Sequence, residues 1–340
     1  VIFAIIALSL AQTLLSSCTK QAMAPDLGTH ANKLADLEKN DESTRGGYTL
    51  RLVRDVISDC EIWIQTHPLT DVEKVEWFGN CQNGLATGKG KVSVKYRGIN
   101  PESIDYSGSF NAGLINGIGS VKEIGHSARG DVYVTNYTGS WLDGHRHGKG
   151  QHNYQATEIS GKIWSRTWTG HFEQNELWGK GERVYHTESA DGKIKIETQK
   201  GEWQDHFLHG HGTEIIEIET KNGELSKTEY TGEWVAGNKE GFGAEKSIGV
   251  EILNSQYEGA FKNHRPNGEG SIFYSNGDSF KGEWVSGSPV KGYCDFKTVG
   301  YSGKCKQYKY KTSKYSGMSC LGSKKGLKNC IPGYQRYWRQ

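Results

Sequence analysis

The chain lacks the short motifs that mark the common enzyme classes. It has no Gly-x-Ser-x-Gly nucleophile elbow, no Walker phosphate loop, no His-Glu-x-x-His zinc motif and no kinase Val-Ala-Ile-Lys or His-Arg-Asp element. Residues 293–340 also contain no histidine and no glutamate, so this segment offers few groups for acid–base catalysis. These absences predict a non-enzymatic protein without a cofactor.

Long apolar runs are also scarce. Val1–Leu15 carries no charge and, at about 15 residues, is short for a spanning helix but typical of a signal peptide. It ends in Leu15-Ser16-Ser17-Cys18, which resembles the bacterial lipobox. The resemblance implies a lipoprotein signal peptide over residues 1–17, a lipid on Cys18 and, because Thr19 follows, an outer-membrane location. No basic start precedes the run and residue 1 is Val, so we expect a truncated or alternatively initiated sequence. An ordinary signal peptide or an uncleaved anchor is the alternative.

Glycine and aromatic residues, by contrast, are abundant and regularly spaced. Tyr137–Gly150 reads aromatic-x-Gly-x-aromatic, then a turn and Gly-x-Gly, and this frame occurs eight times between Trp77 and Gly292. Alternate residues of a strand share one face, so each glycine leaves a slot between two rings, and stacked hairpins bury their rings on one another. The predicted repeat core is Tyr106, Phe110, Tyr137, Trp141, Trp168, Phe172, Trp203, Tyr230, Trp234, Tyr257, Phe261, Phe280 and Trp284.

A second set of glycines predicts the turns at the other end of the hairpins. Gly130, Gly161, Gly192 and Gly223 recur at one constant interval, and two of them complete an Asp-Gly or Asn-Gly pair, which is typical of a tight turn. In the Tyr137–Gly150 copy, we expect Gly144 and Gly148 to form the other turn and Gly150 to start the return strand.

The frame resembles the MORN repeat (membrane occupation and recognition nexus), which Tyr137–Gly150 matches position for position, including His147. Departures are Gln199 and Cys81 at aromatic positions and His206 at a turn glycine. The resemblance implies a mostly β fold: an elongated single-layer antiparallel sheet of about eight stacked hairpins over residues 77–292, with a small Cys-containing C-terminal cap. It implies a scaffold or membrane-associated module and not an enzyme.

Two segments precede the repeats. The polar residues 18–47 are predicted to be a tether, and residues 48–76 an N-terminal cap, in which Tyr48–Ile57 is apolar enough to pack against the first edge of the sheet. A further aliphatic column recurs at the interval of the turn glycines, on the face opposite the rings. It is either covered by Tyr48–Ile57, which we favour, or open as a partner groove, and it consists of Val132, Ile163, Ile194 and Leu225.

Cysteine usage agrees with an exported protein. Seven cysteines minus Cys18 leave an even number, as in disulfide-containing secreted chains. Cys60 and Cys81 are predicted to pair. Cys294, Cys305, Cys320 and Cys330 leave three possible pairings, and their spacings lack the Cys-x-x-Cys of a zinc site. The histidines include the turn residues His147 and His209, so no metal site is predicted.

The C-terminal segment, residues 293–340, is basic. Residues 291–340 hold twelve lysines and arginines against the single acid Asp295. Along the Lys304–Lys314 run, alternation predicts cations and rings on opposite faces of a strand. Such a surface suits an anionic lipid or glycan, and nucleic acid is not expected. The candidate anion-binding residues are Lys304, Lys306, Lys309, Lys311, Lys314, Lys324, Lys325 and Lys328. The alternative is a disulfide-bonded cap that closes the last repeat.

These observations predict a lipid-anchored scaffold or binding protein of the bacterial envelope, periplasmic or surface-exposed. It would mediate protein–protein or membrane association through a partner that the sequence does not identify. The alternative is a display scaffold for a C-terminal cationic domain with catalytic or toxic activity on envelope polymers.

Overall fold

The computed structural model describes residues 49–66, 71–97, 101–127, 129–249, 254–297, 300–309 and 316–320. Arg51–Gln65 and the described residues after Leu69 belong to one compact unit. The other unit, Val1–Leu50 with Thr66–Pro68, lies almost entirely outside the described residues. The predicted signal peptide, the lipidation site Cys18 and the tether therefore lie outside them as well.

The described residues form twenty strands and no α-helix. The strands are β1 (Thr49–Arg54), β2 (Glu61–Thr66), β3 (Asp71–Gln82), β4 (Leu85–Arg97), β5 (Ser103–Asn111), β6 (Leu114–His126), β7 (Val132–Leu142), β8 (His145–Thr157), β9 (Ile163–Glu173), β10 (Glu176–Glu188), β11 (Ile194–Gln204), β12 (Phe207–Glu219), β13 (Leu225–Val235), β14 (Asn238–Gly249), β15 (Ser255–Lys262), β16 (Arg265–Tyr274), β17 (Ser279–Val285), β18 (Ser288–Phe296), β19 (Tyr301–Lys309) and β20 (Ser316–Cys320).

From β3 to β20 each strand pairs antiparallel with the next one in sequence, so the chain forms one open meander. Strands β3–β18 are the eight predicted hairpins. β2 joins through a parallel bridge between Glu61 and Leu85 of β4, and β1 pairs with β2. The predicted all-β, single-layer sheet of hairpins is confirmed.

Each hairpin ends in a two-residue turn whose residues both have positive φ, as in Asp143 (49°) and Gly144 (80°). This mirror-image type I′ geometry matches the right-handed strand twist. The expectation that the return strand starts at Gly150 is wrong: β8 begins at His145. Gly148, with φ of 73°, lies instead in a bulge where the register moves from Gly139↔Gly150 to Trp141↔Arg146.

The turns predicted at the other end are confirmed. At Gly161 the amide of Gly161 bonds the carbonyl of Glu158 at 2.9 Å, and Glu158 N–H bonds the carbonyl of Lys162 at 2.9 Å. Gly161 has φ of 83°, while the residue before it has no positive φ, so this is a type I turn with a glycine bulge. The turns at Gly130, Gly192 and Gly223 have the same pattern.

A row of glycines crosses the repeat sheet, and we call it the glycine ladder. Each repeat strand contributes one glycine, paired in register with the next: Gly79, Gly90, Gly108, Gly119, Gly139, Gly150, Gly170, Gly181, Gly201, Gly212, Gly232, Gly243, Gly259, Gly270, Gly282 and Gly292. A Cβ on Gly139 would lie 2.5 Å from Cα of Gly150, and one on Gly150 would lie 2.3 Å from Oη of Tyr137. Only glycine fits at this pair.

Tyrosine rings lie over the ladder in several hairpins. In four hairpins the bulge leaves the residue after the ladder glycine, such as Ser140, without a partner on the return strand. Tyr137 lies over the Gly139–Gly150 pair and donates its hydroxyl to the carbonyl of Ser140 at 2.9 Å. Tyr230 donates in the same way to the carbonyl of Glu233, and Tyr257 donates to that of Ala260. The glycines thus leave room for each tyrosine ring to lie flat on the sheet, with its hydroxyl bonded to a carbonyl in the bulge.

The N-terminal segment packs near the two-residue turns of the first hairpins. Glu61 N–H bonds the carbonyl of Gly84 at 2.7 Å, and Trp63 N–H bonds that of Gly113 at 2.9 Å. Ile62 and Ile64 are buried, and the structure contains the predicted disulfide Cys60–Cys81.

The aliphatic column lies on the face opposite the rings, as predicted, but it is not covered by Tyr48–Ile57. Val56 and Ile57 are 88% and 85% exposed, Val132 is 42% exposed and Leu225 is 63% exposed. The prediction that this segment covers the column is wrong, because backbone hydrogen bonds hold the N-terminal segment at the two-residue turns and it does not cross the strands. Tyr48 itself lies outside the described residues.

The C-terminal segment continues the same sheet. β19 pairs with β18, and β20 pairs with β19. Cys294 and Cys305 form a disulfide and are both fully buried, while Cys320 of β20 stands in register with Cys305. Cys330 lies outside the described residues. The described part of the segment therefore caps the last repeat, as the cap alternative predicted.

Candidate functional site

We call the side of the sheet toward which Tyr137, Gly139 and Trp141 point the aromatic face. The glycine ladder divides this face into two halves. The narrow half lies between the ladder and the two-residue turns, and the wide half lies on the other side of the ladder. The two halves differ in how tightly their side chains pack.

A continuous row of packed rings covers the narrow half and the glycine ladder itself. Tyr137 meets Trp141 edge to face at 5.0 Å and Phe172 of the next hairpin at 5.3 Å, and Tyr230 repeats the arrangement with Trp234 and Phe261. Such edge-to-face pairs contribute beyond the area that they bury. Twelve of the thirteen predicted core rings are at most 5% exposed, and Trp168 is half-buried.

Backbone hydrogen bonds join successive hairpins near the turns. Gly144 N–H donates to the carbonyl of Ile115 in the preceding hairpin. In later hairpins, an N–H of each two-residue turn donates in the same way to a carbonyl of the hairpin before it, and the accepting residues are Arg146, Leu177, Leu208 and Lys239. The side chains at these carbonyl positions pack beside the ladder. Two of them are cations that lie over tyrosine rings: Arg146 over Tyr137 at 5.8 Å and Lys239 over Tyr230 at 4.5 Å.

The wide half carries a polar row that the sequence analysis missed. The residue two places after each closing glycine is apolar in the outer hairpins and polar in the four central ones. In order these residues are Val92, Val121, His152, Arg183, Glu214, Glu245, Ile272 and Cys294. The constant spacing from Val121 to Glu245 was available as a signal. The repeat frame is defined by its aromatic and glycine positions, and this spacing lies outside them.

His152 is held as a neutral imidazole. Its Nδ1 accepts from Nη1 of Arg146 at 2.8 Å, and its Nε2 faces Oγ1 of Thr135 at 2.8 Å. Because arginine can only donate, Nε2 carries the proton and donates to Thr135. The ring stacks on Trp168 at 5.1 Å. Burial, together with the charge of Arg146, lowers the pKa of His152 to about 2.

The rest of the polar row is a hydrogen-bonded chain across β10–β14. Arg183 Nη2 donates to Oε1 of Gln199 at 2.6 Å, and Gln199 Nε2 donates to Oε1 of Glu214 at 2.6 Å. Lys239 Nζ then bridges Glu214 at 2.9 Å and Glu245 at 3.0 Å. Gln199 thus replaces the missing aromatic ring by joining a cation to a carboxylate.

Burial opposes charge in this chain, but the ion pairs outweigh it. Desolvation alone would raise the pKa of Glu214, yet the charge of Lys239 and the hydrogen bond from Gln199 hold it below its ordinary value. Desolvation would lower the pKa of Lys239, and the two carboxylates raise it instead. Glu214 and Lys239 are therefore both charged at neutral pH.

Above the polar row, four rings and an arginine form a stack that we call the ring stack. Tyr133 lies against Tyr154 at 5.8 Å with the planes 9° apart, and Tyr154 lies against Trp164 at 4.9 Å. The guanidinium of Arg166 lies 5.3 Å from Trp164 and 5.0 Å from Tyr185. The rings are half-buried and Arg166 is exposed, so this part of the face is open to solvent in the described residues.

The two predicted anion-binding lysines whose side chains the structure describes do not belong to this site. Lys304 and Lys306 are exposed on the opposite face, because the buried Cys305 between them lies on the aromatic face. The side chain of Lys309 and all of Lys311, Lys314, Lys324, Lys325 and Lys328 lie outside the described residues. Their role in anion binding stays a prediction.

The described residues contain no group of three or more His, Cys, Asp or Glu side chains placed to hold a metal ion. Nor do they include a helix with the length and apolar character needed to traverse a bilayer.

Five stretches of the chain match the model of the MORN repeat: residues 106–120, 137–154, 200–216, 230–247 and 257–279. The chain contains MORN repeats. No curated protein matches it. The matched stretches fall on the hairpins described above, whereas β3–β4, β9–β10 and nearly all of β17–β18 lie outside them. The β9–β10 hairpin, which carries Trp164, Arg166 and Arg183, keeps the ladder pair Gly170↔Gly181 and a two-residue turn of positive φ.

Proposed function

We propose that the protein is a non-enzymatic MORN-repeat scaffold, held at a bacterial outer membrane by a lipid on Cys18, that presents its aromatic face to a partner. The observation that supports binding is the open wide half of that face over β7–β12. In the four central hairpins, polar groups that are buried or half-buried occupy positions that are apolar in the outer hairpins. Polar burial costs stability unless every group is paired, so its retention in four successive repeats favours a functional reason.

Location in the envelope is supported by two independent features. The sequence Leu15-Ser16-Ser17-Cys18 resembles a lipobox, and two disulfides, Cys60–Cys81 and Cys294–Cys305, are formed in the described residues. Disulfides persist in exported proteins and are rare in the reducing cytosol.

The C-terminal segment supports the scaffold over a displayed catalytic domain. β19 is hydrogen-bonded along β18 and joined to it by Cys294–Cys305, so the described part of the segment belongs to the sheet. A lipid at the N-terminus and a sheet whose last repeat is capped by β19 and β20 suit a protein that presents one face of its sheet to a partner.

The anchor is tested by expressing the full-length gene in a Gram-negative host with labelled palmitate. The natural chain should incorporate label and sediment with outer membranes after a high-salt wash, because a lipid chain contributes about 0.8 kcal/mol per buried methylene. Cys18→Ala should lose both properties, while Ser17→Ala, which keeps a small residue, should retain them. A Cys18→Ala variant that stays unlabelled yet remains membrane-bound after the wash would refute the anchor.

The presenting face is tested by photo-crosslinking in the same cells. A photoreactive side chain at Tyr185 should form adducts with an envelope component, whereas one at the exposed Glu258 on the opposite face should not. Adducts from Glu258 alone would place the interaction on the wrong face.

A further inference from the structure

The ring stack holds one arginine in a fixed position. The guanidinium of Arg166 lies within 5.3 Å of Trp164 and 5.0 Å of Tyr185, while the residue as a whole remains exposed. Rings that cover the planar faces of a guanidinium leave its N–H edge for hydrogen bonding, so little side-chain freedom is left to lose on binding. Within the part of the chain that the structure describes, no carboxylate lies within salt-bridge distance of Arg166.

A second arginine lies beside it on the next strand. Arg183 is opposite Trp168, and Arg166 is opposite Tyr185, so the two arginines are diagonal neighbours on β9 and β10. The nearest acid, Glu197, lies 3.8 Å from Arg183 but only 3.1 Å from Lys195. One carboxylate therefore serves two cations, and the pair of arginines retains unneutralised positive charge.

The position of this pair limits the kind of ligand. β9 and β10 are hydrogen-bonded on both sides, so a peptide cannot add here as a further strand. The rings lie against one another, so they offer edges and hydroxyls and not an apolar groove for a helix. A ligand that lies across the strands must bring oxyanions for the two guanidinium groups and a polar surface for Tyr154, Tyr185 and Glu197.

An acidic polysaccharide has this chemistry. Its carboxylates accept the paired N–H groups of arginine, and its hydroxyls bond to polar side chains. Single-stranded nucleic acid also combines anions with ring contacts, but the disulfides and the proposed export place the protein where glycans are the available anionic polymers.

We propose that Arg166 and Arg183, held by Trp164, Tyr185 and Gln199, form a binding site for the carboxylate groups of an acidic polysaccharide. The choice of polysaccharide over nucleic acid rests on the proposed export, whereas the oxyanion site itself does not. Failure of export is seen in the Cys18 fractionation, and failure of the site is seen in a binding titration of the folded protein.

The test is calorimetric titration of the folded chain with oligogalacturonate and with alginate oligomers. Their fully methyl-esterified forms keep the sugars but lack the charge. At least one acid oligomer should bind, its ester should bind at least tenfold more weakly, and added salt should weaken the acid form.

Variants locate the binding. Arg166→Gln should weaken it at least tenfold, and Arg166→Lys should recover only part, because lysine keeps the charge but not the planar fork. Arg97→Gln removes the same charge from an exposed residue on the opposite face and should change affinity less than twofold. Thermal unfolding of each variant separates loss of binding from loss of fold.

Four outcomes overturn the proposal: no binding of either acid oligomer, equal binding of acid and ester, an Arg166→Gln variant that folds and binds normally, or stronger Arg166-dependent binding of polyglutamate or single-stranded DNA. The last outcome would keep the oxyanion site and reassign its ligand.

Discussion

The buried chain Gln199–Glu214–Lys239–Glu245 allows a quantitative test of whether the polar row costs stability. Replacing Glu214 with Val supplies the residue that occupies the same frame position at Val121. The change removes a 2.9 Å ion pair with Lys239 and a 2.6 Å hydrogen bond from Gln199. Lys239 keeps Glu245 at 3.0 Å, so the loss should be smaller than for a fully orphaned buried charge.

We expect Glu214→Val to destabilise the protein by about 2 kcal/mol, within the range for hydrogen bonds to charged groups. Lys239→Leu, which copies Leu208, should cost about the same because it leaves a carboxylate of 9% side-chain exposure without its cation. The double variant should be within about 1 kcal/mol of the natural protein, since apolar replacement of a buried pair is often neutral or stabilising. The coupling energy is then about 3 kcal/mol.

Urea titration of the four proteins at pH 7 measures the cycle. Single variants that cost less than about 0.5 kcal/mol, as ordinary surface substitutions do, would refute the reasoning. Single costs that simply add in the double variant would refute it as well. The pH dependence gives a second readout. The folded pKa of Glu214 is depressed, so its contribution is present above the ordinary carboxyl pKa of 4.5 and is lost as pH falls below it. The double variant should lose that part of the acid sensitivity.

Three further predictions concern other parts of the sheet. His152 stays neutral in the fold with a pKa of about 2, so stability should be intact above pH 6.5 and fall as the pH drops below it; His152→Val should flatten this decline in unfolding curves recorded from pH 7 to pH 4. Replacing Cys294 and Cys305 with Ser should lower the unfolding free energy by about 3 kcal/mol, because the disulfide closes a short loop in the unfolded chain; an unchanged urea midpoint would argue against it. Trp234→Ala should cost about 3–5 kcal/mol because the ring is 1% exposed, whereas Glu233→Ala should cost under about 0.5 kcal/mol, and equal losses would contradict the alternation of faces.

The repeat frame was predictable because its constraints are local. A glycine between two rings, a turn glycine and period-two alternation each follow from backbone sterics, and together they locate the hairpins and their buried rings. The disulfide Cys60–Cys81 followed because cysteine replaced a ring in one copy of the frame.

Other features depend on contacts that the frame does not encode. The return strand begins at His145 because Asp143 and Gly144 alone complete the turn, and Gly148 lies in a bulge within that strand. The N-terminal segment donates hydrogen bonds to the carbonyls of Gly84 and Gly113 and does not cover the aliphatic column. The polar row is visible in the sequence as a regular spacing. The ion pair between Glu214 and Lys239 is not, because it joins two different positions of the repeat frame in successive hairpins.

The central claim is that one face of the sheet is packed in its narrow half and open in the wide half of the central repeats. Hydroxyl-radical footprinting of the folded protein, read residue by residue by mass spectrometry, tests it directly. Trp164 and Tyr185 should be oxidised several-fold faster than Trp203 and Trp234, which are 3% and 1% exposed. Equal protection of Trp164 and Trp234 would contradict an open wide half.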